Sequence, residues 1–236
     1  MTPFIGEFIG TGLLITLGNG VVANVVLAKT KGNNSGWIVI SFGWAIAVFV
    51  GAYTASKSSG AHLNPAITIA FAALGKIDWS AVPIYITAQL LGAMTGAVIV
   101  WLTYYRHFSP TDDANAKLAV FCTGPAIRDS VFNVLGESVG TFVLVFGALN
   151  IASPTNSLGA ADSLPIALVV LGIGLSLGGV TGYAINPARD LGPRIMHFLL
   201  PIPGKRNSDW GYAWVPVVGP IIGALLAALV FGLVRP

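Results

Sequence analysis

The tripeptide Asn64-Pro65-Ala66 returns as Asn186-Pro187-Ala188, and each copy follows a glycine-containing stretch and opens a short helix-compatible run. Each copy reads as a helix start. Asn is a good N-cap, and Pro is tolerated at the first helical position, where its missing N–H removes no helix bond. The run from Pro65 stays apolar as far as Gly75. A helix of that length reaches about 16 Å, roughly half of a bilayer core of about 30 Å. Two half-length helices in a strongly apolar chain predict two segments that enter a membrane and end near its middle. Irregular backbone survives at that depth only where it is buried in protein or lines a water-filled cavity. The pair therefore points to a pathway through the membrane.

The membrane itself follows from composition. The chain of 236 residues is 55% hydrophobic and 9% charged, with a mean hydropathy of +0.80; a soluble domain carries about 25% charged residues. The expectation is one polytopic membrane domain over residues 1–236. The net charge of +3 is small, and no basic cluster suggests nucleic acid. The single cysteine, Cys122, excludes an intramolecular disulfide and a cysteine-based metal site. Three scattered histidines argue against a metal cluster, and no cofactor is expected. The first residues lack a basic region before the apolar stretch, so no cleavable signal peptide is expected.

Six segments are long enough to span: about 4–28, 37–56, 81–105, 131–152, 163–181 and 213–234. The longest polar connection runs from Arg106 to Ser130, with a turn at Ser109-Pro110-Thr111-Asp112. It divides the chain into a first repeat, about 1–108, and a second, about 129–236. Gly6-Glu7-Phe8-Ile9-Gly10-Thr11 answers Gly136-Glu137-Ser138-Val139-Gly140-Thr141, and Gly92 and Gly96 answer Gly219 and Gly223. The Asn-Pro-Ala triplets lie between these marks in both halves. Three spans per half invert the second repeat, an architecture used for pathways with a site near the midplane. The paired small residues are expected to serve close helix packing. Charge disagrees with this drawing. With a cytoplasmic N-terminus, the inside holds Lys57, Lys76 and Arg235, and the outside holds the other nine Lys and Arg. The positive-inside rule would invert the protein.

Six spans, two Asn-Pro-Ala loops and the paired Glu7 and Glu137 resemble the major intrinsic proteins, the aquaporins and aquaglyceroporins. The stretches from Ser59 to Ala66 and from Gly182 to Asp190 are specific to that family, and the resemblance covers essentially the whole chain. It implies an all-α membrane protein of six transmembrane helices plus two re-entrant half-helices in an inverted repeat. It also implies a homotetramer in the plasma membrane with one pore per subunit and both termini cytoplasmic. Asp190, Arg194 and Pro220-Ile221 resemble the glycerol-conducting branch; a water-selective channel is the alternative.

The residues then take expected roles. Each half-helix N-terminus carries about half a positive charge and free N–H groups. Asn64 and Asn186 are expected to cap their helices and still offer side-chain N–H groups to a passing hydroxyl, while the two positive ends discourage cations and proton hopping. Arg189 is a cation near a positive helix end inside a membrane, a costly placement that argues for function. By resemblance it is the arginine of the extracellular constriction, with Trp44, Gly174 and Tyr183 as the other filter positions. Trp44 and Tyr183 would form an aromatic corner, and Gly174 would leave room where water-selective members place histidine. Tyr183 departs from the phenylalanine of the familiar bacterial glycerol facilitator. Carbonyls of Gly60, Ala61, His62, Gly182, Tyr183 and Ala184 are expected to line the pore, with His62 in its cytoplasmic half. Glu7 and Glu137 would accept N–H bonds from the re-entrant loops, and Asp190 and Arg194 would pair at i, i+4. The resulting expectation is a passive channel for glycerol, water and small neutral solutes such as dihydroxyacetone, hydrogen peroxide or undissociated lactic acid, closed to ions and protons. A coupled transporter would need a pore-facing acid, and an intramembrane enzyme would need a nucleophile–base or metal set; neither is evident in the sequence.

Overall fold

The computed structural model describes residues 1–151 and 156–234, which are helical, with no strand among the described residues. Six spans are long and apolar enough to cross a membrane. The first half contains α1 (Pro3–Val26), α2 (Trp37–Ser59), the half-helix α3 (Pro65–Ala73) and α4 (Val82–Thr103). Two short helices, α5 (Tyr105–Phe108) and α6 (Ala114–Ala119), lie in the connection. The second half contains α7 (Ser130–Asn150), α8 (Leu164–Ser176), the half-helix α9 (Pro187–Leu199) and α10 (Val215–Val234).

Local chemistry sets the ends. Thr2 accepts from the Ile5 N–H ahead of Pro3, and Asp129 accepts from the N–H groups of Val131 and Phe132. Gly60 ends α2 in the left-handed region at φ 80°. The α3 helix stops at Ala73, short of the expected Gly75, because the N–H groups of Gly75 and Lys76 turn back to Ala72 and Phe71. The fifth span differs more. Its α-helix ends at Ser176, five residues before the expected 181, because Gly178 and Gly179 release the chain into the second re-entrant loop. A 3-10 turn, Gly159–Ser163, supplies its missing length at the other end. Residue 152, the expected end of the fourth span, and Arg235 lie outside the described residues.

The repeat is built by packing. In one half α1 packs against α2 and α4, and in the other α7 packs against α8 and α10. The half-helices cross over: α3 packs on α10, and α9 packs on α4. Each half therefore braces the re-entrant segment of the other. The matched glycines permit this. A Cβ on Gly92 would stand 2.3 Å from the Phe8 carbonyl oxygen, and one on Gly223 would stand 2.1 Å from that of Ser138. Helix backbones meet there with no room for a side chain. Apolar side chains such as Ile38, Phe42 and Ile46 of α2 face outward, as a lipid-contacting surface requires. We expect Gly223→Leu to lower the thermal unfolding midpoint of the detergent-purified protein, at a cost of about 1–3 kcal/mol or more from overpacking.

Candidate conduit and its neck

The two re-entrant loops carry the same unusual backbone. Gly60, Ala61 and Leu63 have φ of 80°, 54° and 52°, and their counterparts Gly182, Tyr183 and Ile185 have 83°, 37° and 44°. Positive φ is unfavourable for L residues, above all for β-branched Ile185. The conformation persists because a buried carboxylate clamps each loop. Glu7 accepts from the His62 N–H at 2.9 Å, the Leu63 N–H at 2.7 Å, Ser59 Oγ at 2.6 Å and Gln89 Nε2 at 2.7 Å. Glu137 accepts from the Ala184 N–H at 2.9 Å, the Ile185 N–H at 2.7 Å and Thr181 Oγ1 at 2.6 Å. The side chain of Gln89 also donates to Thr68 Oγ1 at 3.0 Å. Among the described residues no donor reaches the carbonyls of Gly60, Ala61, His62, Gly182, Tyr183 or Ala184.

The loops meet through the asparagines. Asn64 Oδ1 caps its own helix at the Ala66 N–H, and its Nδ2 donates across to the Ile185 carbonyl at 2.8 Å. Asn186 mirrors this: Oδ1 accepts from the N–H groups of Ala188 and Arg189, and Nδ2 donates to the Leu63 carbonyl at 2.8 Å. Capping therefore uses only the oxygen. Each amide nitrogen spends one N–H on the opposite loop and retains a second. Pro65 and Pro187 sit at the first helical position, and Ala66 and Ala188 are fully buried.

A cavity of about 80 Å³ runs through this junction, lined by Asn64, Asn186, His62, Ala61, Ala184, Tyr183, Trp44 and Arg189 among others. One water needs about 10–15 Å³ on that measure. A second cavity of about 380 Å³ lies beyond, walled by Gly182 and the 122–126 segment. Trp44, Tyr183 and Arg189 line both cavities, so these three side chains form the neck between them. The Arg189 guanidinium lies 4.1 Å from the Trp44 ring centroid, a cation–π contact, and donates to the Phe121 carbonyl at 3.3 Å. Its remaining N–H groups have no bonded acceptor among the described residues. Tyr183 packs edge-on to Trp37, with ring centroids 5.8 Å apart, and not against Trp44. Gly174 is buried behind the neck and lines neither cavity: a Cβ there would stand 3.0 Å from the Tyr183 oxygen. The space it leaves is filled by the tyrosine. Gly60 also lines neither cavity.

Asp190 and Arg194 pair at 2.7 Å with both side chains fully buried. Asp190 also accepts from the N–H and hydroxyl of Thr123, and Arg194 donates to the carbonyls of Thr123, Ser208 and Asp209. The pair thus bolts two connecting segments onto α9, including the one whose Phe121 carbonyl holds Arg189. Asn19 donates to that same carbonyl at 3.3 Å. Other cations on this side are spent similarly. Lys205 binds the last carbonyls of α9, Lys117 binds the Pro203 carbonyl, Arg206 binds Asn115 and Arg128 binds Asp209. Most of the nine cations that the charge count sets against a cytoplasmic N-terminus bind acceptors of α9 or of the connecting segments. Cys122 is buried in the same wall, and burial raises its pKa, so it remains a neutral thiol.

Sequence reasoning overlooked Ser59, Thr181, Gln89, Thr68, Thr123 and Asn19. Ser59 and Thr181 were findable, since they keep the same spacing to the two triplets as the rest of the loops do. Gln89 was not: Pro216 occupies the place in α10 that matches it. We expect Glu137→Gln to set an amide donor against loop N–H groups, costing about 1–3 kcal/mol, read as a lower unfolding midpoint and a slower water flux in vesicles.

Comparison with known proteins agrees with this geometry. The family model for the major intrinsic proteins matches residues 1–231. A probable glycerol uptake facilitator protein of Thermotoga maritima is 58% identical over 221 residues, covering 94% of each chain. The glycerol uptake facilitator protein of Streptococcus pneumoniae is 55% identical over 233 residues, covering 99% of each. The crystal structure of the aquaglyceroporin from Plasmodium falciparum superposes with a TM-score of 0.84 at 30% identity, covering 97% of this chain and 93% of that one. Six spans, two crossed half-helices and two cavities that share the walls of one neck are the architecture of a membrane channel, and the chain belongs to the major intrinsic protein family.

Proposed function

We propose that the protein is a passive channel for glycerol, water and other small uncharged solutes. The observation that carries this reading is the neck, where the Arg189 guanidinium, stacked on the Trp44 ring at 4.1 Å, and the Tyr183 ring line one passage. A polyol has the same division. Its hydroxyls can accept from Arg189 while its carbon edge slides along the aromatic side, and each hydrogen bond to a charged donor is worth about 1.5–3 kcal/mol net. Beyond the neck, unbonded loop carbonyls accept from the solute hydroxyls, and the free N–H of Asn64 and of Asn186 donates to them. The relay lets a hydroxylated molecule shed water stepwise. Arg189 and the paired positive ends of α3 and α9 oppose cations and interrupt proton transfer. Dihydroxyacetone, hydrogen peroxide and undissociated lactic acid meet the same size and charge requirement; lactate does not.

Glu7 and Glu137 act as loop clamps in this reading. Their oxygens are occupied by donors, which leaves no mid-span acid free to couple solute movement to an ion. Repeats 1–108 and 129–236 form one conduit, and the unit assembles as a homotetramer in the plasma membrane with both termini cytoplasmic. The names of its relatives support glycerol as solute.

Stopped-flow light scattering on proteoliposomes tests the reading. Glycerol-driven re-swelling should be fast and unchanged by pH or a sodium gradient. Fast water flux without glycerol flux would move the protein to the water-selective branch, and dependence on a gradient would make it a transporter. Arg189→Val should raise proton or sodium leak about tenfold over the parent, consistent with the loss of roughly 1.4 kcal/mol or more of electrostatic barrier, as read by a pH-sensitive dye trapped in the vesicles. Trp44→Ala should widen the neck and admit polyols longer than glycerol.

A further inference from the structure

The Tyr183 hydroxyl is buried, as is the Ser41 hydroxyl of α2, and neither has a hydrogen-bond partner at standard geometry. Both lie over Gly174. A methyl group built on that glycine would stand 3.0 Å from the Tyr183 oxygen and 3.2 Å from Ser41 Oγ. The two oxygens share one small space behind the neck, and neither Ser41 nor Gly174 lines a cavity of the conduit. Two further sides of the ring are packed. Trp37 meets it edge-on and donates its Nε1–H to the Gly174 carbonyl at 2.8 Å, and a Cβ on Gly178 would stand 2.4 Å from Tyr183 Cδ1. Each hydroxyl carries both a donor and an acceptor, so each can satisfy the other with a small rotation. Left unpaired, both would be unfavourable in these apolar surroundings.

We propose that Ser41 is a positioning and specificity-determining residue. It is the partner that keeps the Tyr183 hydroxyl turned out of the conduit, so that the tyrosine presents only an apolar ring to the solute. This rests on reading the neck as the solute filter.

The two hydroxyls are unequal. Ser41 is helical and can turn to the carbonyl of Trp37 four residues back, as Thr16, Thr54, Thr95 and Thr103 do in their own helices. The phenol has no such alternative, and without Ser41 the acceptors and donors open to it are in the conduit. Removing Ser41 therefore matters more than removing the phenol oxygen.

The test measures glycerol and water permeability in the same proteoliposomes and takes their ratio, so that the amount of folded channel cancels. Tyr183→Phe sets the reference ratio for a neck whose ring carries no oxygen. Ser41→Ala should lower the parent ratio by about threefold or more, the scale on which one misplaced group changes discrimination in a pocket. The double variant Ser41→Ala with Tyr183→Phe should restore the ratio of Tyr183→Phe alone, because no phenol oxygen is left to turn inward. A parent ratio in Ser41→Ala overturns the proposal, even if both permeabilities fall together. So does a double variant as low as Ser41→Ala. A parent that passes water but no glycerol overturns the filter reading itself.

Discussion

Two buried carboxylates hold the pathway open. The re-entrant loops run through the protein with three left-handed residues each, a backbone that local bonds alone do not hold. Glu7 and Glu137 supply the acceptors, one for the N–H groups of His62 and Leu63, the other for those of Ala184 and Ile185. With their N–H groups turned toward the carboxylates, the loop carbonyls are left unpaired for the passage. A carboxylate is expensive in a membrane interior unless donors surround it, and here donors do. The same bonds settle the cost of the buried charge and the cost of the strained backbone.

The second constraint is the crossing of the halves. Asn64 and Asn186 each bind the backbone of the opposite loop, and α3 and α9 each rest on the last span of the opposite half. Each half-helix is thus held from both halves, by the carboxylate clamp of its own and by the last span of the other. Positive helix ends therefore meet in one place, and their mutual repulsion is offset by reciprocal hydrogen bonds. The outer wall follows from this. Asp190 and Arg194 fasten the connecting segments to α9, and the fastened segment positions the carbonyl that orients Arg189. Arg189 is thus set in two steps, by its place in α9 and by a loop that α9 itself holds.

Much of this was legible in the residues. Asn and Pro at a helix start are local signals, and their duplication with Glu7 and Glu137 marked the repeat, the clamps and the midplane. The spans were visible because a helix in lipid must be continuously apolar. The charge count runs against the orientation that the family resemblance implies, and it includes cations that loop carbonyls bind, such as Lys205 and Arg194. The end of α8 misled because Gly178 and Gly179 are apolar enough to extend a span yet release the backbone. Gly174 was expected at the neck but stands behind it, since the distinction depends on where the Tyr183 ring points.

Sequence alone determined the apolar spans, the two half-helices, the repeat and the chemistry available along the path, because helix capping, hydropathy and residue type are local properties. The tertiary structure decided the rest. It chose which carbonyl each asparagine reaches, brought Trp44, Tyr183 and Arg189 from separate elements to one neck, and placed Tyr183 over Gly174 beside Ser41. Those outcomes depend on the crossing of the halves and on glycine contacts between helices far apart in the chain, and no spacing within a single segment encodes them.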